Sequence, residues 1–197
     1  MKCSLVLVCL FLLSACVPHT KDTSYNPATL ETDRHVNVRF GFTVEYPAYW
    51  DRRDSESGDG SSFVDPKNPL ASFSAWGSYN AGNLKNIYEL MEEEKEFILH
   101  SEWKDECTLE YESESGKYAM VKNGEKVYKT NIPGYRMRYT CSEAGASYTY
   151  LKTFCMHDDV IIEAQGQCPS DQYEQYEDLF LKLTSSLTKI SPGEVIE

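Results

Sequence analysis

YRMRYTCSEAGASYTYLKTFCMHDDVIIEAQGQC, residues 135–168, decides the fold. Three runs alternate large or apolar side chains with small or polar ones: Tyr135–Cys141, Ser147–Met156 and Val160–Cys168. Alternation at a period of two marks strands with one face buried. The runs are joined by SEAGA and HDD, short enough for hairpins. The expectation is an antiparallel three-strand meander.

Working outward, Phe40, Phe42, Val44 and Tyr46 alternate with Gly41, Thr43 and Glu45, which predicts another half-buried strand ended by Pro47. Tyr49 and Trp50 follow the corner, one covering the core edge and the other exposed. DRRDSESGDGSS (51–62) is polar and carries turn-forming Gly58 and Gly60. Phe63-Val64-Asp65-Pro66 is a short strand closed by a turn, and Ala71, Phe73 and Ala75 alternate with Ser72, Ser74 and Trp76 in the next. Asn83 is placed to cap a helix running to His100, with Leu84, Ile87, Tyr88, Met91 and Ile98 at helical spacing. Glu92-Glu93-Glu94 reads as its solvated face. Asn123-Gly124 predicts a tight extra hairpin. Ser170 is placed to cap a final helix whose stripe is Tyr173, Tyr176, Leu179, Phe180, Leu183, Leu187 and Ile190. Two amphipathic helices over one antiparallel sheet define an α+β domain.

At the other end of the chain, Leu5–Leu13 is an apolar run of signal-peptide length, and Leu13-Ser14-Ala15-Cys16 resembles a bacterial lipobox. That resemblance implies cleavage before Cys16 and acylation of its thiol and new amino group, since stable anchoring needs more than one chain. Val17 after the Cys resembles the outer-membrane default of a Gram-negative host. The expected organisation is a signal peptide over 1–15, lipidated Cys16 with a flexible tether over 16–37, one domain over 38–190 and a tail over 191–197. His19 and His35 fall in the tether as solvated residues.

Formal charge is −12, and cleavage at Cys16 makes the mature chain more acidic. Nucleic acid and anionic lipid headgroups need clustered cations, so neither is an expected direct partner. Four of the seven Cys remain in the exported domain: Cys107, Cys141, Cys155 and Cys168. An even number in an oxidising compartment implies two disulfides, among three connectivities. The meander places Cys155 about 23 Å along the strands from both Cys141 and Cys168. A disulfide needs Cα atoms within about 7 Å. If all four pair within the domain, the expected bonds are therefore Cys107–Cys155 and Cys141–Cys168.

The order of parts is also familiar. A strand (Phe40–Tyr46) runs into Tyr46-Pro47-x-x-Trp50; Phe63-Val64-Asp65-Pro66 leads to a strand and a helix; a meander follows, and YEQYEDLFLKLTSSL closes the chain. This resembles the PsbP-like domain shared by extrinsic photosystem II proteins, Mog-type Ran-binding proteins and many bacterial lipoproteins. The resemblance covers about residues 36–190 and implies an α/β/α sandwich with a central, mostly antiparallel sheet. Members are typically non-catalytic accessory or binding proteins, so it implies no cofactor and no catalytic residue. The four Cys and the hairpin at Asn123-Gly124 depart from the usual pattern.

GxSxG, HExxH, CxxC and phosphate-binding Gly loops are all absent from the sequence. The function expected is that of a membrane-anchored accessory module. It meets the membrane through lipid on Cys16 and an envelope protein through exposed aromatics such as Tyr49, Trp76 and Tyr79. The alternative is a small-ligand or metal-dependent hydrolytic enzyme with a site near Cys155, His157, Asp158 and Asp159.

Overall fold

A computed structural model describes Asn26 and residues 29–100, 106–115, 121–122, 125–126, 134–157 and 159–190. Along the chain these residues form β1 (Thr32–Asn37), β2 (Phe42–Pro47), β3 (Asp51–Asp54), β4 (Gly60–Asp65), β5 (Asn68–Tyr79), α1 (Ile87–His100) and β6 (Cys107–Ser115). They continue with β7 (Val121–Lys122), β8 (Glu125–Lys126), β9 (Gly134–Glu143), β10 (Ala146–His157), β11 (Val160–Pro169), a 3-10 turn (Ser170–Gln172), α2 (Tyr173–Ser185) and β12 (Thr188–Lys189).

The meander is present as β9–β10–β11. Its first hairpin closes through Ala144 (φ +50°) and Gly145 (φ +82°). Two central residues with positive φ match the right-handed twist of the strands. The meander is the middle of a larger antiparallel sheet of order β3-β4-β5-β11-β10-β9-β6. A second sheet, β1-β2-β12, and the two-stranded β7-β8 complete the described strands. The β7–β8 pair is the hairpin read at Asn123-Gly124, which themselves lie outside the described residues.

The helices and the small sheet sandwich the large one. On one face, α2 and β2 bury Phe42, Val44, Phe63, Phe73, Leu151, Ile162, Leu179, Phe180 and Leu183 together. Gly166 on β11 marks how close that packing is: a methyl there would run into the Phe180 ring. On the other face, α1 sets Leu90, Met91 and Ile98 against Tyr135, Met137, Tyr139, Tyr150 and Phe154. Polar links pin the layers. The Tyr176 hydroxyl donates to buried Asp65 at 2.8 Å, tying α2 to the β4–β5 turn. Arg136 donates to Thr153 at 3.0 Å and to Ser185 at 2.8 Å. Its cation thus sits at the C-terminal end of α2, where the helix dipole favours it.

Local readings shift in several places. Residues 32–37, read as the end of a tether, form β1, antiparallel to β2. The edge of β2 supplies ladder partners to a segment with little apolar character of its own. α1 begins at Ile87 and not at Asn83, because Asn83 is turned left-handed (φ +52°). Asn86 caps instead, its side-chain oxygen accepting the N–H groups of Tyr88 and Glu89 at 2.9 and 3.1 Å. Ser170 does not cap α2; its hydroxyl bonds to Thr149 and Ser147 at 2.9 Å each, and the helix is entered through the 3-10 turn. α2 stops at Ser185, short of Ile190, because Thr188 and Lys189 join the small sheet beside Thr43 and Phe42.

The expected disulfides are corrected. Cys107 is bonded to Cys141, and Cys155 and Cys168 are buried free thiols. The reason is register: β6 pairs with β9 at the sheet edge, opposing Cys107 to Cys141 with Cα atoms 4.1 Å apart. Cys155 lies opposite Gly134 and Ile162, far from Cys141 as the meander required, and it points under α2. A pairing that needed Cys107 beside Cys155 had no strand to carry it.

Candidate functional site

The large sheet is covered unevenly. On the α1 side, α1 packs over β9, β10 and Ile161, and no residue of β3, β4 or β5 belongs to that core. Those strands alternate so that Phe63, Ala71, Phe73 and Ala75 point to the buried side. Ser62, Val64, Leu70, Ser72, Ser74 and Trp76 point the other way, where the described residues place no cover.

Register turns this into a grid. Arg53 lies beside Ser62, Ser62 beside Ser74, Ser74 beside Gln165, and Gln165 beside Lys152. The next row runs Asp51, Val64, Ser72 and Gln167. Trp76 lies between Gly60 and Glu163. A methyl group on Gly60 would come within 2.8 Å of an indole ring carbon of Trp76. The absent side chain therefore lets the indole lie across the β4 backbone, while Trp76 stays 38% exposed.

The border between covered and open halves is ionic. The Lys152 ammonium meets Glu94 of α1 at 2.6 Å and Glu163 of β11 at 2.9 Å. Burial opposes that charge, but the two carboxylates outweigh it and hold the Lys152 pKa above its ordinary value. Tyr139 stacks on Tyr150 at 4.8 Å and donates to the Gln165 side-chain oxygen at 3.0 Å. Burial raises the pKa of both phenols. One edge of the open face is thus held by neutral hydroxyls and a satisfied ion pair.

A second polar cleft, about 270 Å³, lies between β1, β3 and β4, lined by His35, Asn37, Arg39, Arg52, Asp54 and Ser61. His35, read as a tether residue, is buried between Phe42 and Phe63. Burial first, then the Arg52 charge, lowers its pKa against the pull of Asp54. Ser61 donates to Asp54 at 2.6 Å, and its oxygen is 3.4 and 3.5 Å from the two ring nitrogens of His35. The hydroxyl proton is thus given to a carboxylate and not to the imidazole, the reverse of an activated serine. Nothing in 32–37 (TDRHVN) signals this burial except the inward alternation of His35 and Asn37.

The other expected residues scatter. Tyr49 is exposed at the β2–β3 corner, with Lys67 over its ring at 5.3 Å, while Trp50 is buried. Tyr79 is exposed at the far end of β5, stacked edge-on against Phe40 at 5.1 Å, on the face opposite Trp76. The three aromatics therefore make no common patch. Cys155 is sealed beneath α2, and burial pushes its thiol up to about 12, as it does that of Cys168. A thiol so disfavoured as thiolate is a poor nucleophile. His157 lies beside Lys189. Cys16 and Asp158 fall outside the described residues, and Asp159 sits in the β10–β11 turn. Among the described residues no His, Cys, Asp or Glu side chains form a group of three able to hold a metal ion, and no helix is long and apolar enough to cross a membrane.

A seven-stranded antiparallel sheet with α2 and a small sheet on one face and α1 on the other is the PsbP/Mog-type fold. Cyanobacterial PsbP from Synechocystis sp. superposes with a TM-score of 0.58 at 14% identity, over 81% of this chain and 93% of that one. The Ran-binding protein Mog1p of Saccharomyces cerevisiae gives 0.57 at 7% identity, over 83% and 97%. LpqN of Mycobacterium tuberculosis, described as involved in cell envelope biogenesis, gives 0.50 at 12% identity, over 83% and 92%. No family model and no curated protein sequence matches the chain.

Proposed function

We propose that this chain is a membrane-anchored, non-catalytic lipoprotein of the cell envelope that works as an accessory module by binding a protein partner. In a Gram-negative host its place is the periplasmic face of the outer membrane. The observation that carries this reading is the lipobox-like Leu13-Ser14-Ala15-Cys16 ahead of a domain with the PsbP/Mog-type fold. Two neighbours of that fold carry descriptions of the same kind, Ran binding for Mog1p and envelope biogenesis for LpqN. The end of β5 supplies a fitting contact surface: exposed Tyr79 lies edge-on against the Phe40 ring and Arg39 lies over it, with Val38 exposed two residues before Phe40. Aromatic and Arg side chains are enriched at protein contacts. The hydrolytic alternative loses its nucleophile with the buried Cys155.

The test has two arms. Cells fed an alkyne fatty acid label the wild-type protein and leave Cys16→Ser unlabelled and released from membranes. Crosslinking in intact envelopes then enriches a partner that Tyr79→Ala loses. A labelled Cys16→Ser would refute the anchor. Enrichment no greater than in the Cys16→Ser strain would refute the partner.

A further inference from the structure

We propose that the open half of the large sheet is a binding site for a neutral, polyhydroxylated chain, that is, a glycan, with Trp76 as its stacking platform. The site lies on the face opposite Tyr79 and does not depend on the protein-partner reading.

The platform comes first. With Gly60 beneath it, one side of the Trp76 indole rests on the β4 backbone and the remainder meets solvent. A large amphipathic ring held in one orientation loses little entropy when a ligand lies on it. The C–H face of a sugar ring is apolar and flat enough to do so, with its hydroxyls directed outward around the rim.

The floor comes next. From Trp76 the face continues through Ser74, Ser72, Ser62, Gln165 and Gln167, all partly exposed. Each hydroxyl donates one hydrogen bond and accepts two, and each amide does both. That is the chemistry of a ligand built from hydroxyl groups, met directly or through water. Trp76 and Leu70 lie six residues apart along β5, about 20 Å at the rise of a strand. The occupant is therefore extended.

Charge and layout select the class. The chain carries −12, yet among the described residues the outward positions of this face bear one carboxylate, Asp51, and one guanidinium, Arg53, while Glu163 at its border is held by Lys152. A neutral face in an acidic protein excludes a polyanion, which needs clustered cations, and offers a cationic segment no counter-charge. A protein contact has an apolar centre and a polar rim. Here the arrangement differs: the larger apolar side chains, Trp76 and Leu70, stand at the ends, and Ser62, Ser72 and Ser74 lie between them around Val64.

The full-length mature protein, purified in detergent, is titrated with three neutral hexasaccharides, of β-1,4-glucose, α-1,4-glucose and β-1,4-N-acetylglucosamine. Heparin serves as the anionic comparison. Calorimetry and tryptophan fluorescence are the readouts. At least one neutral probe is expected to bind. Trp76→Ala should weaken it roughly tenfold or more, the scale of one lost aromatic contact, while Trp76→Phe recovers part and Tyr79→Ala changes nothing. Ser74→Glu, which leaves the indole in place, should also weaken the neutral probe by setting an acid in the floor. The proposal is overturned if no neutral probe binds at 10 mM, a ceiling at roughly −3 kcal/mol. It is equally overturned if binding survives both Trp76→Ala and Ser74→Glu, if heparin binds in preference, or if Trp76→Ala abolishes capture of an envelope protein while every sugar is ignored.

Discussion

The two halves of one sheet face differ more than the two faces do. Under α1, strands β9 and β10 present Tyr135, Met137, Tyr139, Tyr150 and Phe154, all buried. From β11 outward the same face presents Gln165 and Gln167, then Ser72 and Ser74 on β5 and Ser62 on β4, with Val64, Leu70 and Trp76 among them. Antiparallel pairing runs through both halves, with one register shift in each, so hydrogen bonding does not distinguish them. The difference lies in the alternate residues: a run of large apolar side chains where a helix must dock, and mostly short hydroxyls and amides where none does, with Val64, Leu70 and Trp76 set among them. A bare sheet face is stable if its outward side chains already satisfy water, and this half meets that condition.

The comparison breaks most sharply at the packed side. Phe180→Ala empties a fully buried ring site between α2 and Gly166. It should cost about 3–5 kcal/mol in urea unfolding. A loss under 1 kcal/mol would mean that α2 is not holding the sheet. Next comes the disulfide at the outer edge of the covered half. Cys107–Cys141 closes a loop with a sequence separation of 34. Chain entropy puts its removal by Cys141→Ser at about 4 kcal/mol. The same bond predicts that a non-reduced digest links the peptides of Cys107 and Cys141, and that Cys155 and Cys168 react with thiol reagents only after denaturation.

The border between the halves should show a pH signature. The folded pKa of Lys152 lies above its unfolded value of 10.5. Its contribution is therefore complete below pH 10.5 and is lost as pH rises through the folded value. Wild type should weaken above pH 10.5, where buried Tyr139 and Tyr150 also resist ionisation, and Lys152→Met should show a shallower limb. At pH 7 the variant should be about 2 kcal/mol less stable, below the cost of breaking a fully buried pair, because Glu94 and Glu163 lose their shared cation. A variant as stable as wild type at pH 7 would show that the border residues do not tie α1 to the sheet.

Much of this was written in local patterns. The alternation of Phe40, Phe42, Val44 and Tyr46, the meander and the α2 stripe up to Leu187 all repeat a period within a few residues, and most of these positions are buried as that period requires, Tyr148, Met156 and Val160 only partly. What the pattern did not carry was pairing at a distance. β6 reaches β9 across a long excursion, so the partner of Cys107 depended on which strand closes the sheet edge. TDRHVN looks like linker because its burial comes from the neighbour that β2 provides and from the Ser61–Asp54 cleft, not from its own hydrophobicity. The open face was half legible. ASFSAW separates an inward from an outward row, but the sequence of β5 does not say that α1 stops short of it.

The smallest stability effect is expected at Trp76, and it is the most telling about the open half. Its indole is 38% exposed and rests on Gly60 without belonging to either core. Truncation to Ala removes contact with backbone on one side of a ring and returns no cavity to the interior. Large-to-small changes are costly in proportion to the cavity they leave, so Trp76→Ala should cost under about 1 kcal/mol despite deleting a whole indole. Thermal melts of the two proteins should nearly superpose. A loss above 2 kcal/mol would show that the indole is a structural lid over β4, and the contrast between a packed half and a free half of the sheet would fail with it. A small loss leaves a bulky aromatic on a polar face with no folding reason to be there, which is the signature of a residue retained for contact with something else.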